Sequence, residues 1–450
     1  MPLRKLNAYM KPLPPNQLHN YRARVQWIES FSGLKRAGAY GFDAHPKEAR
    51  KRLEHFLSLL GSPHKGLNVV HVTGTSGKGS TVMMVGAMLR LSGKRTGIYC
   101  SPHTTTTIER FYGPDGLLMS IKDFIAITDQ LQPAIAQMDN DPLGTPSYLE
   151  MMVAIAFLYF KKMRCQWVVL EVGMGGARDA TNVIPPPAVA AITPIDLDHA
   201  HLIGTTLSDI AREKSAIIKR NTHVFTTERR ATLRAIIEQR CNAVGAYWHP
   251  QLNFLPNTVI PSMSGSHQHT NAQLAASIGM YLKLPVVAIE KGIRQTRLPC
   301  RFETMRTNPT VILDGGHNAL AVRVVSKKLR EIPPARLILV FALSESKDAK
   351  TILKNLPPAK LLVFTRFLSS RSSQSPGALK RTMLALRRGR DYDRILSDLD
   401  PNHALMSALE YASERDTVAI FGSLYLTGSL RAHWVSEENI LKNRSSFPKN

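Results

Sequence analysis

The string Gly74-Thr-Ser-Gly-Lys-Gly-Ser-Thr81 constrains the fold more than any other part of this chain. A β-branched run, residues 67–73, leads into it, and a helical pattern over 82–91 leads out. A strand, a glycine-rich loop and a helix in that order form a cradle for phosphate. Glycines let successive backbone N–H groups turn inward on an anion, and the helix N-terminus adds a favourable dipole. Gly74, Thr75, Ser76, Gly77, Gly79 and Ser80 supply the cradle, and Lys78 reaches for the β- and γ-phosphates. Ser80 and Thr81 are candidates for supporting phosphate or metal. The string departs from the common phosphate-loop pattern because Gly79 separates Lys78 from the hydroxyl residue.

Further short apolar runs at 167–172, 189–195, 311–313, 337–341, 361–365 and 417–421 read as buried strands, most of them separated by helical patterns. Such alternation predicts parallel α/β sheets. Residues 46–60 carry helical spacing ahead of a Gly61-Ser-Pro turn, and the basic stretch 380–390 reads as a solvent-facing helix. At 450 residues the chain suits more than one core. The expected division is 1–298 and 299–450, because a second α/β unit begins near Val311.

Composition narrows the class. The four cysteines, Cys100, Cys165, Cys241 and Cys300, form no CxxC pair, which argues against a zinc ribbon or disulfide scaffold and for a reducing compartment. No apolar stretch is long enough to span a bilayer, and no secretory segment opens the chain, so a cytoplasmic protein without a membrane partner is expected. The net charge of +24 admits a nucleic-acid binder, a steering field for anionic substrates, or solvated basic faces. No zinc-finger spacing or aromatic-interleaved basic groove accompanies it, which favours solvated faces, with anion steering as a by-product, and no nucleic-acid partner.

The loop Gly74–Ser80 is similar to the GTNGKGS loop of the Mur-ligase superfamily, in its folylpolyglutamate synthase/dihydrofolate synthase branch. Other strings resemble the same branch in the same order: Ser101-Pro-His103 with Glu109-Arg110, Leu170-Glu-Val-Gly-Met-Gly-Gly176 with Asp179-Ala-Thr-Asn182, Leu197-Asp-His199 with Arg212-Glu-Lys214, Leu313-Asp-Gly-Gly-His-Asn318 and Gly422-Ser-Leu-Tyr-Leu426. The resemblance spans roughly residues 40–430. It implies a P-loop ATPase domain of Mur-ligase type on a parallel sheet, with a smaller Rossmann-like α/β domain after it. It also implies a monomer that uses ATP and Mg2+, with two ions expected, to join L-glutamate to the carboxylate of a reduced pterin or folate through an acyl phosphate.

By that resemblance Ser101, Glu171 and His199 contact metal, and Lys214 is carbamylated. Asn271 contacts adenine, Arg301 a phosphate, Asp314 the ribose, and His317 the γ-phosphate, so that Lys78, Lys214 and His317 serve the phosphoryl transfer. Ser147, Leu149, Arg178 and Asp179 face the acid. Read as residues alone, Asn271 equally suits a helix cap and Lys214 a solvated helical lysine on a helix starting near Ser208. The cluster of Asp196, Asp198, His199 and His201 weakly suggests zinc, with magnesium preferred because of the phosphate loop.

Several positions depart from the branch pattern. Ala177 replaces an Arg, with Arg178 one place later, and Leu149 replaces a Phe that would offer a pterin an aromatic surface. Cys300 replaces a Gly before Arg301, and Gly316 an Ala. These departures keep two other readings open: a Mur-like amide ligase acting on another carboxylate, and a basic P-loop protein regulating a nucleic-acid contact.

Overall fold

The computed structural model describes residues 15–33, 37–38, 42–43, 46–139, 141–197, 200–252, 259–368 and 372–448. By internal contacts the chain forms two units. One comprises Met1–Pro261, Thr270–Thr296 and Glu438–Asn450; the other comprises Ser262–His269 and Arg297–Glu437. The last stretch of chain thus belongs with the first unit.

The first unit contains a short antiparallel pair, β1 (Ala37–Gly38) and β2 (Phe42–Asp43), and a seven-stranded sheet. The strands of the sheet are β3 (Asn68–Thr73), β4 (Thr96–Tyr99), β5 (Phe111–Tyr112), β6 (Trp167–Glu171), β7 (Val189–Ile192), β8 (His223–Thr226) and β9 (Tyr247–Trp248). Their spatial order is β5-β4-β6-β3-β7-β8-β9, parallel throughout except for the β4–β5 pair. β3 sits at the centre with every residue after Asn68 buried, which is why it reads as an unbroken apolar run and not as an alternation.

The second unit is a six-stranded sheet of β10 (Glu303–Thr307), β11 (Thr310–Asp314), β12 (Leu337–Phe341), β13 (Ala359–Phe364), β14 (Tyr392–Ser397) and β15 (Thr417–Phe421). The order is β10-β11-β15-β12-β13-β14, with only β10 antiparallel. Helices cover both faces, and the two cores they enclose account for the apolar runs on β11, β12, β13 and β15. Two parallel-sheet α/β units are what the alternating pattern predicts.

The expected strands all form, while β1, β2, β4, β5, β8, β9, β10 and β14 were not expected. Among these, β5 and β9 are two residues long, and β10 and β14 carry exposed charged residues at the sheet edges. The helix expected over 82–91 begins earlier, at Lys78, because Gly77 starts it. The basic run 380–390 is not one helix: Pro376–Ala385 ends midway through it, and Arg387 turns the chain with a φ of 56°.

Candidate functional site

Parallel strands deliver their carboxyl ends to one edge of a sheet, where open α/β folds bind ligands. In the first unit the register pairs Tyr99 with Leu170, Val72 with Glu171, and Thr73 with Ile192. The segments that leave these ends carry Ser101, Glu171, the glycine loop and Asp196. Sequence distances of as much as 121 residues, between Thr75 and Asp196, therefore collapse onto one rim.

The loop itself closes on the helix Lys78–Leu91. Gly77 is the N-cap, with φ 93° and ψ −5° and no side-chain cap, so the first N–H groups of the helix are not taken up by a capping side chain. That backbone conformation favours glycine, and a Cβ there would stand 2.2 Å from Oδ1 of Asn271. The Lys78 ammonium folds back over the loop, donating to the carbonyls of Gly74 (3.2 Å) and Thr75 (3.4 Å). Thr75 is tied to the end of β7: its N–H donates to the Pro194 carbonyl (3.0 Å), and its hydroxyl accepts from the Asp196 N–H (2.9 Å).

Lys214 comes to the same loop from the helix Leu207–Ser215, which starts with Thr206 as its cap. Its amine is buried and donates to the Gly74 carbonyl at 2.8 Å. The solvated-lysine reading is therefore overturned: a buried amine held on a phosphate-loop carbonyl is not a surface charge. Asn271 is not a helix cap either. It lies inside the helix Ser266–Tyr281, is buried, and its amide lies against Gly77.

Ser101 and Glu171 meet as the register requires. The Ser101 N–H donates to Glu171 Oε2 at 3.1 Å, both residues being on neighbouring strand ends. The Ser101 hydroxyl has a buried oxygen with no hydrogen-bond partner. An orphaned buried hydroxyl beside a buried carboxylate is a donor set that suits a hard divalent cation. His199 and Asp198 lie outside the described residues, as does the side chain of His201. Asp196 turns one carboxylate oxygen to the Leu197 N–H (2.8 Å).

The segment after Ser101 is organised by Glu109, whose buried Oε2 accepts from the N–H groups of Thr104 (3.0 Å), Thr105 (2.6 Å) and Thr106 (3.1 Å). Arg110 donates from Nε to His103 Nδ1 at 3.1 Å, and burial followed by that cation pushes His103 down to about 3. His103 is therefore a neutral acceptor.

Beside this rim lies a cleft lined by Arg50, Arg52, Ser147, Leu149, Glu150, Ala177, Arg178, Asp179 and Asn182, among others. All four residues expected to face the acid line it. Ser147 and Glu150 form a reciprocal cap that starts the helix Tyr148–Lys162, with the Ser147 N–H donating to Glu150 Oε2 at 2.6 Å. Arg52 meets Glu150 through two hydrogen bonds of 3.0 and 2.9 Å, both side chains about 95% buried. This pair, which the sequence reading missed, pins the helix Pro46–Leu59 across the cleft. The capping box is a local signal, but an Arg 98 residues away from its Glu leaves none.

The loop carrying Arg178 and Asp179 packs on the end of the Lys214 helix. A Cβ on Gly176 would stand 2.6 Å from the Glu213 carbonyl, so only glycine permits the approach. Glu213 Oε1 accepts from the Arg178 N–H at 3.2 Å, while the Arg178 side chain is exposed. Asp179 is buried and accepts at Oδ2 from the N–H groups of Gly173 (2.9 Å) and Met174 (3.1 Å). At Oδ1 it accepts from the Thr181 N–H (2.9 Å) and hydroxyl (2.5 Å). Burial raises its pKa against the pull of these hydrogen bonds.

The second unit holds Arg301, Asp314 and His317. Asp314 ends β11 and accepts from the N–H groups of Phe302 (2.8 Å) and Gly316 (2.7 Å). Burial raises its carboxyl while Arg301 opposes that rise. The Arg301 guanidinium lies against Gly315, where a Cβ would be 2.7 Å from it, and the His317 ring nitrogen Nδ1 is 2.9 Å from the Gly315 carbonyl. Arg301 and Asp314 are thus brought together, with His317 three residues after Asp314 along the same turn.

A glycine-rich loop of phosphate-binding type on a parallel sheet, followed by a second α/β unit, is the arrangement expected of a Mur-type ligase. The sequence profile of the Mur ligase middle domain matches residues 72–244, and that of the Mur ligase glutamate ligase domain matches residues 300–424. A dihydrofolate synthase/folylpolyglutamate synthase of Mycobacterium tuberculosis is 31% identical over 76% of this chain and 78% of its own length. A probable bifunctional folylpolyglutamate synthase/dihydropteroate synthase of Haloferax volcanii is 30% identical over 86% of this chain, which spans about half (48%) of that relative's length. The solved structure of a Mycobacterium tuberculosis folylpolyglutamate synthase complexed with ADP superposes with a TM-score of 0.81 at 25% identity, covering 93% of this chain and 99% of that one. The chain belongs to the folylpolyglutamate synthase/dihydrofolate synthase family of Mur ligases and is an ATP-dependent acid–amino-acid ligase. The reading as a nucleic-acid regulator finds no support among these relatives.

Proposed function

We propose that this ligase adds L-glutamate to a pterin-linked carboxylate, either dihydropteroate or a reduced folate, at the expense of ATP. The observation that carries this reading is the cleft. Ser147, Leu149, Arg178 and Asp179 line it together, in the same unit as the phosphate loop and Lys214. The acid carboxylate takes the γ-phosphoryl group, and the glutamate amine then attacks the acyl phosphate, leaving an amide and phosphate.

In this reading the backbone N–H groups of residues 74–80 and the Lys78 ammonium hold the nucleotide phosphates and offset the charge that develops on the transferred group. Asn271 contacts adenine, and Lys214, carbamylated, steadies the metal side of the loop. Ser101, Glu171 and His199 would hold Mg2+, with a second ion beside the carbamate. When bound, the metal neutralises phosphate charge. In the second unit Arg301 and His317 contact phosphate, and Asp314 the ribose. Dividing the chain near residue 298 into ATP-binding and glutamate-ligase domains is part of this proposal, as is a monomer free of nucleic acid and membrane. Among the described residues no helix is long and apolar enough to cross a membrane. The four free, buried cysteines favour a reducing compartment such as the cytoplasm.

A second reading, amide formation on a different carboxylate, is favoured by one feature of the cleft. Leu149 is half-buried against the core, so the cleft wall there is aliphatic, and Arg178 is exposed one position from where the family pattern has its Arg. Calorimetric titration of dihydropteroate and tetrahydrofolate into the ATP-loaded protein separates the two. Binding of either supports the pterin reading, and binding of neither with ATP binding intact overturns it.

A further inference from the structure

His71 stands on β3, three residues before the phosphate loop, and is fully buried. Its Nε2 lies 2.8 Å from the Thr181 hydroxyl oxygen, and that hydroxyl lies 2.5 Å from Asp179 Oδ1. The direction of the chain follows from elementary donor counting. An ionised carboxylate only accepts, so the single Thr181 O–H donates to Asp179. The Thr181 oxygen must then accept from His71, so the proton sits on Nε2. Nδ1 is the bare nitrogen, and it is the atom left without a partner. The imidazole is neutral: burial, then the nearby Lys219 cation, push it down to about 3.

We infer that His71 is a positioning residue for the acid substrate: through Thr181 it holds the Asp179 carboxylate in one orientation on the cleft wall. The inference rests on the proposal that Asp179 faces the acid. Thr181 without His71 has a free choice of rotamer and of hydrogen-bond direction, and Asp179 Oδ1 then loses its shortest bond. Oδ2 stays with the backbone of Gly173 and Met174, so the carboxylate swings instead of leaving. The strand that positions the phosphate loop thereby also positions the acid loop, although 110 residues separate His71 from Thr181.

The test is steady-state ADP release with the full chain, varying the acid and ATP separately. His71→Ala and Thr181→Val are expected to raise the acid KM about tenfold, the loss of one hydrogen bond to a charged group, with the ATP KM and kcat within twofold. His71→Gln, whose amide donates from the position of Nε2, is expected to restore most of the loss. The double variant H71A/T181V should be no worse than T181V alone, because the two act in series. Thermal melts of each variant show which are folded, and T181V carries the test where H71A is not.

Two results overturn the inference: effects of H71A and T181V that multiply, or an ATP KM that rises as far as the acid KM. Asp179→Asn separates the levels. If D179N raises the acid KM while H71A and T181V do not, the relay is wrong and the acid reading stands. If none of the three changes it, the acid role of Asp179 falls and the relay with it.

Discussion

Replacing Gly77 by Ala tests the phosphate loop and its partner Asn271 together. Two separate costs can be read from the geometry. The first is backbone: an L-residue at φ 93° in the left-handed region costs about 1–2 kcal/mol. The second is steric, since the new methyl would stand 2.2 Å from Asn271 Oδ1 and within 3.0 Å of its Nδ2. Relieving that overlap shifts the loop or the amide by about 1 Å, at an overpacking cost of roughly 1–3 kcal/mol. The sum is about 2–5 kcal/mol, or a melting temperature lower by about 4–20 °C at roughly 2–4 °C per kcal/mol. A 1 Å displacement of the phosphate cradle weakens function about a hundredfold. Fluorescence titration of an ATP analogue reads the affinity, and differential scanning fluorimetry reads the stability. Adding Asn271→Ala removes the clashing amide, so G77A/N271A should recover the steric part of the melting shift and keep the backbone part. Unchanged ATP affinity and melting temperature in G77A would refute the geometry. A double variant no more stable than G77A would refute the steric assignment to Asn271.

Arg52→Ala strands the buried Glu150 carboxylate and should cost about 3–5 kcal/mol, whereas R52M/E150L removes both charges and should recover most of it; urea unfolding decides, and equal losses in the two would contradict the pairing. Burial alone would raise the Asp416 carboxyl, but Lys360 at 2.6 Å and Ser413 together hold it below its ordinary value. A depressed carboxyl stabilises the fold above its unfolded pKa and loses that contribution as pH falls through its folded one. Asp416→Asn should therefore flatten the acid limb of a stability–pH curve below about pH 4, and an unchanged limb would show that the group does not titrate there. Cys300 sits at φ 54° where the family pattern has glycine, so Cys300→Gly should melt above Cys300→Ala by about 2–4 °C, since alanine keeps the strain; the reverse order would locate the cost in packing.

The fold was legible where a strand is buried on both faces and feeds a long helix. β3, β6, β12 and β15 announce themselves as apolar runs, because burial on both sides leaves no polar alternation. β10 and β14 did not, since edge strands with one wet face admit Arg306, Asp393 and Arg394, and a two-residue strand such as β9 has no pattern to show. Within the site, the glycine loop was legible because its conformation demands particular residues in sequence. Lys214 was not, on residues alone: a lysine on an amphipathic helix looks solvated until the fold puts a buried carbonyl over it. The same holds for Arg52 with Glu150 and for His71 with Thr181. Each pair joins elements more than 90 residues apart, and nothing local marks either partner.

The proposed reaction couples ATP to amide formation between glutamate and a pterin-linked acid. It is tested most directly by ADP release from Mg-ATP with glutamate and, in turn, dihydropteroate or tetrahydrofolate. Release is expected to require both glutamate and at least one of these acids, and to disappear with Lys78→Ala. Release that proceeds at the same rate without either pterin, or none with any combination, would contradict it.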